Sequence, residues 1–354
     1  MKRGMAQTSA KKINVGIIGG AGYGGTELVK LLLFHPEVNL TFVTSRKNAG
    51  QKLSSASRFL SGVTDLVFVE PDVEKLPKDT DCVFFATPHG TSMFLAPLVI
   101  REMPRARIVD LSGDFRLDDP KIYRQYYGRD HASPGLLKDF VYGIPEMNRA
   151  KVAQARYVAN PGCFATGIIF ALYPLLRGDI VRREVSVVAV TGSSGSGEEP
   201  KDVTHHPVRA KNFKSYKILE HQHLPEIERY LRHSFPGWKG EIGFVPQSGP
   251  FVRGIFTTAI LYNDGIDAGA LKEAFVGLYG REKFVRIVDG SPEVAVVYAS
   301  NYVEVSYLYR KNFVVSMSAI DNLVRGASGQ AVQNMNIMFG FRESLGIEFP
   351  GMRP

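Results

Sequence analysis

The amino-acid sequence predicts an α/β protein of two domains, the first built on a parallel sheet and the second of the α+β type. A length of 354 residues is ample for two domains. Up to Asn160, short apolar runs alternate with helical stretches, which is typical of a parallel sheet covered by helices on both faces. From Val185 onwards the strand-like runs are longer, which indicates a mixed or antiparallel sheet.

The first strand is predicted in the apolar run INVGIIG, which begins at Ile13, and a helix follows in GTELVKLLLFHP. Three further strands are predicted in LTFVTSR, DCVFFATP and ARIVDLSG. We therefore expect a first domain over residues 13–160. Residues 1–12 are basic and no apolar signal core follows them, so we expect a disordered tail there.

The second domain is expected over residues 161–326. Its strands are predicted in VSVVAVTGSSG, IGFVPQ, GIFTTAILYN, VYASNYVEVSYLY and FVVSMSAID, and its helices in PEIERYLRHS and GALKEAFVGLYG. A last helix is predicted in GQAVQNMNIMFGF. We expect it to return to the first domain, which residues 327–354 would complete.

The composition argues against several classes of protein. The chain has 43 Lys and Arg against 35 Asp and Glu, a formal net charge of +8, about half of it in the tail. The body has no basic run and no zinc or RNA-binding signature, so no nucleic-acid partner is expected. No apolar run reaches the roughly 18 residues of a membrane-spanning helix, and we expect a cytoplasmic protein. Two cysteines are too few for a disulfide framework or a cysteine metal site, and no metal is expected.

A glycine-rich loop lies between the first predicted strand and helix and satisfies the pattern G-x-G-x-x-G. Glycines let the backbone turn tightly and approach a pyrophosphate, and the following helix directs free N–H groups towards the phosphates. The loop predicts a dinucleotide site, the alternative being a glycine-rich turn without a ligand. Its candidate binding residues are Gly19, Gly20, Gly22, Tyr23, Gly24 and Gly25.

The end of the second predicted strand bears on which dinucleotide is bound. NAD-selective sites usually place an acidic residue there for the ribose hydroxyls, whereas this chain has Thr44, Ser45, Arg46 and Lys47. Ser45 and Arg46 are suited to hold a 2′-phosphate, so NADP(H) is the expected cofactor. The alternative is a pair of ordinary exposed basic residues at a strand end.

The two cysteines differ in their surroundings. Cys82 lies within the apolar run CVFFA and is expected to be an inert core residue. Cys163 precedes the amphipathic stretch IIFALYPLL and so lies at or near a helix N-terminus. Because the helix dipole stabilises a thiolate there, we expect a lowered pKa for Cys163 and a role as nucleophile. The alternative is a small buried residue at a domain junction.

Two histidines, His221 and His223, precede a predicted helix and are too few for a zinc site on their own. One is suited to general acid–base catalysis near neutral pH, and the other to orienting it or binding substrate. Upstream, the Gly- and Ser-rich segment 192–200 is either a flexible loop or a phosphate-binding nest.

Several motifs are specific in combination: GGAGYGG, DLSGDFRL, YGIPE, NPGCFATG, HQHLPEI, VRGIFTT and IDNLVRGASGQAVQNMN. From about Ile13 the chain resembles the N-acetyl-gamma-glutamyl-phosphate reductase family of arginine biosynthesis. The resemblance implies a Rossmann NADP-binding domain, a catalytic domain like that of glyceraldehyde-3-phosphate dehydrogenase, and a homodimer or homotetramer. It implies that an acyl phosphate forms a thioester with Cys163, which NADPH reduces to an aldehyde.

The same resemblance implies roles for individual residues. Cys163 matches the nucleophile, His221 the acid or base, and His223 its neighbour at the substrate; which histidine carries the proton stays open. The candidate substrate-binding residues are Arg116, Asn160, Ser194, Tyr216 and Arg253. The residues implied beside the nicotinamide are Ser328, Gly329 and Asn334.

Departures from the family pattern leave open the group that blocks the substrate's amine. THHPVRAKNFKSYK and SLGIEFPGMRP are more similar to a sister enzyme of lysine biosynthesis, whose substrate is attached to an acidic amino-group carrier protein. Gln247 stands where a histidine is frequent. NPGCFATG and HQHLPEI, the motifs nearest the chemistry, favour N-acetyl-glutamyl phosphate. Aspartate-semialdehyde dehydrogenase and a non-catalytic NADP-binding protein are the further alternatives.

Overall fold

A computed structural model of the chain describes residues 12–181, 183–262, 265 and 267–352. Apart from Lys12, the predicted tail lies outside these residues. The described chain forms two seven-stranded sheets with helices packed against them. None of the described helices is long and apolar enough to cross a membrane.

The first sheet is entirely parallel, as predicted. Its strands are β1 (Ile13–Ile18), β2 (Val38–Thr44), β3 (Phe68–Val69), β4 (Cys82–Phe85), β5 (Arg107–Asp110), β6 (Phe140–Tyr142) and β7 (Tyr157–Ala159). The order across the sheet is β3-β2-β1-β4-β5-β7-β6, so the direction of winding reverses between β1 and β4. Ligands of such sheets bind outside the carboxyl ends of the strands at this reversal. The glycine-rich loop follows β1 and lies there.

The second sheet is mixed, again as predicted. Its strands are β8 (Val185–Thr191), β9 (Lys214–Ser215), β10 (Ile242–Ser248), β11 (Ile255–Tyr262), β12 (Val285–Ile287), β13 (Val303–Arg310) and β14 (Phe313–Ile320). They are ordered β12-β13-β14-β11-β8-β10-β9. The strand predicted to begin at Val297 starts only at Val303, because Ala299 has a left-handed backbone (φ 56°) and breaks the extended run.

Eleven helices occur in the described chain. They are α1 (Tyr23–Leu33), α2 (Leu53–Ala56), α3 (Ser92–Glu102), α4 (Pro120–Tyr127), α5 (Pro145–Gln154), α6 (Cys163–Arg177), α7 (His206–Arg209), α8 (Leu224–Ser234), α9 (Ala268–Tyr279), α10 (Val294–Val297) and α11 (Gly329–Met338). Helix α6 is apolar on nearly all sides and is buried against β11, β14, α8 and α9. An element apolar all round is stable only inside a core, so α6 lies at the centre of the second domain.

Helix α11 packs against α1, α5 and β5, which belong to the first part of the chain. A π-helical turn, Val324–Ser328, precedes it. Within this turn Arg325 is completely buried, with Nη2 2.5 Å from Oε2 of Glu146 on α5 and Nη1 2.9 Å from Oε1 of Gln333. These contacts join the turn before α11 to α5 in the first part of the chain and to α11 itself. The domain limits 13–160, 161–326 and 327–354 stay a prediction.

Candidate active site

The glycines of the loop between β1 and α1 have two kinds of surroundings: some pack closely against neighbouring atoms, and others face open space. Gly19 has a left-handed φ of 92°. A Cβ atom added at Gly20 would lie 2.1 Å from Cγ1 of Val43, and one added at Gly25 would lie 2.7 Å from the Gly19 oxygen. Neither position therefore tolerates a side chain. At Gly22, the N-cap of α1, a Cβ atom would meet no atom within 4 Å. The first N–H groups of α1 therefore face open space and fit a pyrophosphate.

The remaining predicted residues of the loop have distinct surroundings. Tyr23 is the first residue of α1, and its side chain is exposed. Gly24 has no atom within 4 Å of a Cβ position, and its carbonyl oxygen accepts a 2.7 Å hydrogen bond from Oγ of Ser328. The turn before α11 is thus bonded directly to the first turn of α1.

Ser45 and Arg46, at the end of β2, differ in exposure. Ser45 is buried, its N–H donates to the Val69 oxygen, and its Oγ accepts from the Asn48 N–H at 3.3 Å. Arg46 is exposed and has no ion pair with any described residue. A cation free at this strand end fits a 2′-phosphate better than it fits a ribose diol.

Cys163 is the first residue of α6, with Gly162 as the N-cap, as predicted from the sequence. The Cys163 side chain is half-buried, and a Cβ atom added at Gly326 would lie only 2.8 Å from Cβ of Cys163. A Cβ atom on Gly162 would lie 2.4 Å from Nε2 of His223 and 2.7 Å from Nη1 of Arg116. Glycine is required at 162 because these two side chains approach its backbone closely.

The predicted lowering of the Cys163 pKa is wrong. Burial raises the pKa of this thiol to about 11. The Arg116 guanidinium and the Phe164 N–H act to lower the pKa, and the Glu226 carboxylate acts to raise it. The helix N-terminus therefore stabilises the thiolate, but by less than desolvation destabilises it.

His221 and His223 are both buried beside the Cys163 turn. The ring of His221 lies edge-on to the rings of Phe164, at 5.2 Å between centroids, and of Tyr216, at 5.8 Å. Burial lowers the pKa of His221 to about 3, with Lys217 and His89 adding to the shift. The pKa of His223 is also well below its usual value, mainly because of burial. Both imidazoles are therefore neutral at pH 7.

The hydrogen bonds of the two histidines indicate their tautomers. Nδ1 of His221 accepts from the backbone N–H of His223 at 3.1 Å, so neutral His221 carries its proton on Nε2. Nδ1 of His223 is buried without a hydrogen-bond partner among the described residues. A buried polar atom of this kind ordinarily has a partner, and no described residue supplies one here.

Arg116 is not free to bind substrate as predicted. Its side chain is only 4% exposed. Nε donates to the Asn160 oxygen at 2.8 Å, Nη2 donates to the Leu111 oxygen at 2.7 Å, and Nη1 lies 3.4 Å from Oε2 of Glu226. This guanidinium holds the segment before Cys163 in place.

Asn160 and Asn334 are buried and bonded to each other. Nδ2 of Asn334 donates to Oδ1 of Asn160 at 3.1 Å and to the Gly143 oxygen at 2.9 Å, while Nδ2 of Asn160 donates to the Ala327 oxygen. Oδ1 of Asn334 is buried and has no partner in the described chain. Gly329 is enclosed differently: a Cβ atom there would lie 2.6 Å from Oδ1 of Asn301. Asn334 therefore adjoins the Cys163 segment, whereas Gly329 faces the interior.

Arg253 and Ser194, also predicted to bind substrate, are occupied by other partners. Arg253 forms two hydrogen bonds to Asp321, at 2.9 and 3.0 Å, and a third to Glu27 at 3.0 Å. Oγ of Ser194 is bonded to Asn322, and the turn Ser193–Ser196 is held by backbone bonds to residues 251 and 252. The sequence indicated the charge of Arg253 but not its acidic partners. Because Arg253 and Ser194 are both bonded within the protein, we no longer assign them to substrate binding.

The one group of acidic side chains spaced for a cation in the described chain is Glu146, Glu282 and Glu343. Arg325 pairs with Glu146, and Arg149 pairs with the other two at 2.5 and 2.7 Å. Their charges are already compensated, and we propose no metal site.

Comparison with known proteins places the chain in a family. The semialdehyde dehydrogenase NAD binding domain matches residues 14–155, and the semialdehyde dehydrogenase dimerisation domain matches residues 163–322. A protein of Methanosphaera stadtmanae named N-acetyl-gamma-glutamyl-phosphate reductase is 43% identical over 97% of this chain and 99% of its own. The chain belongs to the N-acetyl-gamma-glutamyl-phosphate reductase family. The resemblance inferred from the motifs is thereby confirmed.

Further comparisons extend this result. Proteins with the same name from Methanothrix thermoacetophila and Acinetobacter baumannii are each 40% identical, over 97% of this chain and 100% of theirs. Among solved structures, aspartate semialdehyde dehydrogenase II of Vibrio cholerae has a TM-score of 0.71 at 17% identity, covering 94% of this chain and 99% of that one. The predicted fold is confirmed, and these reductase relatives give no support to the carrier-linked substrate.

Three residues of the site escaped the sequence analysis. Glu226 contacts Gly162 and Arg116, and could have been found only as the acidic residue of HQHLPEI. His89 follows β4, and its Nδ1 accepts a 2.8 Å hydrogen bond from the Gly113 N–H. Its position after a predicted parallel strand could have marked it in the sequence as a site residue. Lys217 acts electrostatically on His89, His221 and His223, although its side chain is exposed. Nothing local marks it.

Two other sequence candidates border this region. Burial raises the pKa of the Tyr216 hydroxyl, and the charge of the nearby Cys163 adds to the shift. Nε2 of Gln247, at the end of β10, donates to Oγ of Ser215 on β9 at 3.4 Å. Gln247 therefore supports the strand that precedes Tyr216.

The raised pKa of Cys163 predicts a steep pH dependence of its alkylation. With a pKa of about 11, the thiolate fraction, and with it the rate of reaction with iodoacetamide, should rise about tenfold per pH unit from pH 7 to 10. Peptide mass spectrometry would follow each cysteine separately. Cys82 is completely buried and should stay unmodified, which controls for unfolding. A plateau of the Cys163 rate below pH 9 would contradict the prediction.

Proposed function

We propose that this chain reduces N-acetyl-glutamyl 5-phosphate to N-acetylglutamate 5-semialdehyde with release of phosphate, using NADPH. Its relatives over nearly the full length carry the name N-acetyl-gamma-glutamyl-phosphate reductase. The structural observation that carries the proposal is the position of Cys163 at the start of α6. The neutral histidines His221 and His223 lie on one side of it, and the turn Val324–Ser328, which is bonded to the glycine-rich loop, lies on the other.

The proposed reaction begins at Cys163. The thiol is protonated at neutral pH, so attack requires a base, and we assign this role to one of the two neutral imidazoles beside the Cys163 turn, His221 or His223. The thiolate attacks the acyl carbon and forms the C–S bond as the C–O bond to phosphate breaks. The N–H groups at the start of α6 stabilise the oxyanion that forms during this step.

The second half of the reaction reduces the Cys163 thioester. The chemistry that bound NADPH supplies is hydride transfer to the thioester carbon. The proton on Nε2 of His221 stabilises the resulting alkoxide. The C–S bond then breaks, the aldehyde is released, and Cys163 regains the proton that the base removed. Each turnover thus consumes one hydride and one solvent proton, which the departing phosphate takes up as hydrogen phosphate, and returns Cys163 and the base to their starting protonation states.

The reverse reaction avoids the labile acyl phosphate and tests the proposal. With N-acetylglutamate semialdehyde and phosphate, we expect phosphate-dependent reduction of NADP⁺, recorded as absorbance of NADPH. Cys163→Ser should abolish this rate and still bind NADPH, as measured by cofactor fluorescence. No rate from the wild-type protein, when folded and binding NADPH, would refute the free substrate and direct the same assay to a carrier-linked semialdehyde.

The pyrophosphate of NADPH is assigned to the first turn of α1, and the 2′-phosphate to Ser45 and Arg46. Arg46→Ala should lower kcat/KM for NADPH about tenfold or more, because a charge-assisted hydrogen bond contributes about 1.5–3 kcal/mol. The rate with NADH, which lacks the 2′-phosphate, is the internal control and should be unchanged. Equal losses with both cofactors would show that Arg46 does not read the 2′-phosphate.

A homodimer formed through the second sheet is the assembly that we propose. The outward-facing side chains Ile260, Tyr262, Leu308 and Phe313 lie on neighbouring strands and are exposed, and Tyr262 and Phe313 contact each other. A contiguous apolar patch of this kind marks an interface, and the matching family domain is described as a dimerisation domain. A cytoplasmic location is part of the same proposal.

A charge placed in this patch should separate the subunits. Leu308→Glu would bury a carboxylate against a second apolar sheet face, so light scattering after size exclusion should report a monomer. Phe94→Glu, at an equally exposed aromatic residue on α3, is the matched control and should leave the mass unchanged. A dimer that survives Leu308→Glu would place the interface elsewhere.

A further inference from the structure

Glu226 lies in the first turn of α8, and its side chain is only 1% exposed. Oε1 accepts the Gly162 N–H at 2.8 Å and the Tyr142 hydroxyl at 2.6 Å. Oε2 lies 3.4 Å from Nη1 of Arg116. The carboxylate therefore has two neutral donors and one cation, which is the set that a buried negative charge requires.

These contacts converge on the peptide that leads into the nucleophile. Gly162 is the N-cap of α6, so the direction of its N–H fixes the orientation of the turn from which Cys163 projects. Arg116, on the other side of the carboxylate, also donates to the Asn160 oxygen, two residues earlier in the same segment. Glu226 and Arg116 thus hold the segment 160–162 from two sides.

Stability alone does not account for this arrangement. Replacing a buried ion pair by apolar residues of similar volume is often neutral or stabilising, whereas removing one partner is costly. Here the pair contacts the segment immediately before Cys163, and both of its members act on the thiol electrostatically, Arg116 towards and Glu226 against ionisation. Tyr216 is the further titratable group beside the thiol, and His221 and His223 are neutral there.

We propose that Glu226 is a positioning residue for Cys163, which fixes the Gly162 peptide directly and the segment from Asn160 through Arg116. The inference rests on the proposed role of Cys163 as nucleophile. It does not depend on which acyl phosphate is the substrate. Tyr142 is the accessory donor that completes the coordination of the carboxylate.

Glu226→Gln tests the proposal because glutamine keeps the size and one acceptor oxygen but turns an NH₂ group towards Arg116. The repelled guanidinium should release the Asn160 segment, and we expect kcat to fall about 10–100-fold, the effect of a small misplacement of a reacting group. The dissociation constant of NADPH should stay the same. The pH at which alkylation of Cys163 is half-maximal should fall, because a negative charge has gone and Arg116 is unpaired.

This combination distinguishes positioning from a loss of fold, since the thiol becomes easier to ionise while turnover becomes slower. Glu228→Gln, on the same helix and half-buried, is the matched control and should change neither quantity. If Glu226→Gln folds with kcat within twofold of wild type and an unchanged alkylation profile, the proposal is wrong. Alkylation needs no substrate, so this readout survives even if the proposed acyl phosphate is not turned over.

Tyr142→Phe provides a second variant in case Glu226→Gln does not fold. It removes one hydrogen bond to Glu226 without changing any charge. We expect kcat to fall about threefold to tenfold, the effect of weakening one hydrogen bond of about 0.5–1.5 kcal/mol, while the alkylation profile keeps its midpoint. A loss of thermal stability with kcat unchanged would show that the cluster is structural only and would overturn the proposal.

Discussion

The buried guanidinium of Arg116 is the interaction on which the catalytic half of the site depends. It joins the Leu111 carbonyl after β5, the Asn160 carbonyl before Cys163 and the Glu226 carboxylate on α8. A cation with 4% exposure is stable only while all of these partners stay in place. The strand end, the Cys163 turn and the histidine-bearing segment are therefore fixed relative to one another by one side chain.

Two further arginines, the half-buried Arg253 and the buried Arg325, link segments that are far apart in the chain. Arg253 links Asp321, directly after β14, to Glu27 on α1. Arg325 links the turn before α11 to Glu146 on α5. The first pair joins the second sheet to the helix that follows the glycine-rich loop, and such charge pairs impose a more definite geometry than apolar contacts do. A reaction between a bound cofactor and a thioester depends on such fixed separation.

Local signals in the sequence were sufficient for the longer strands, for the helices α1, α6, α8, α9 and α11, and for the position of Cys163 at a helix N-terminus. The strands β1, β2, β4 and β5 have apolar runs long enough to be recognised, whereas β3, β6 and β7 have only two or three residues and were not predicted as strands. The roles of Arg116 and Arg253 were misjudged because their partners lie as far as 110 and 226 residues away along the chain. The pKa of Cys163 was misjudged for a similar reason, since the helix dipole is local but burial is a property of the whole fold.

The hydrogen bond from Ser328 to Gly24 spans 304 positions of the chain. The turn that contains it also touches Cys163 through Gly326, and the helix that follows packs on α1, α5 and β5. Helix α11 is thus synthesised after the strands of both sheets. On the ribosome, the N-terminal sheet emerges long before α11, and the apolar face that α11 covers stays exposed while the second sheet is translated. The glycine-rich loop therefore acquires its hydrogen bond from Ser328 only after the whole second sheet has been made.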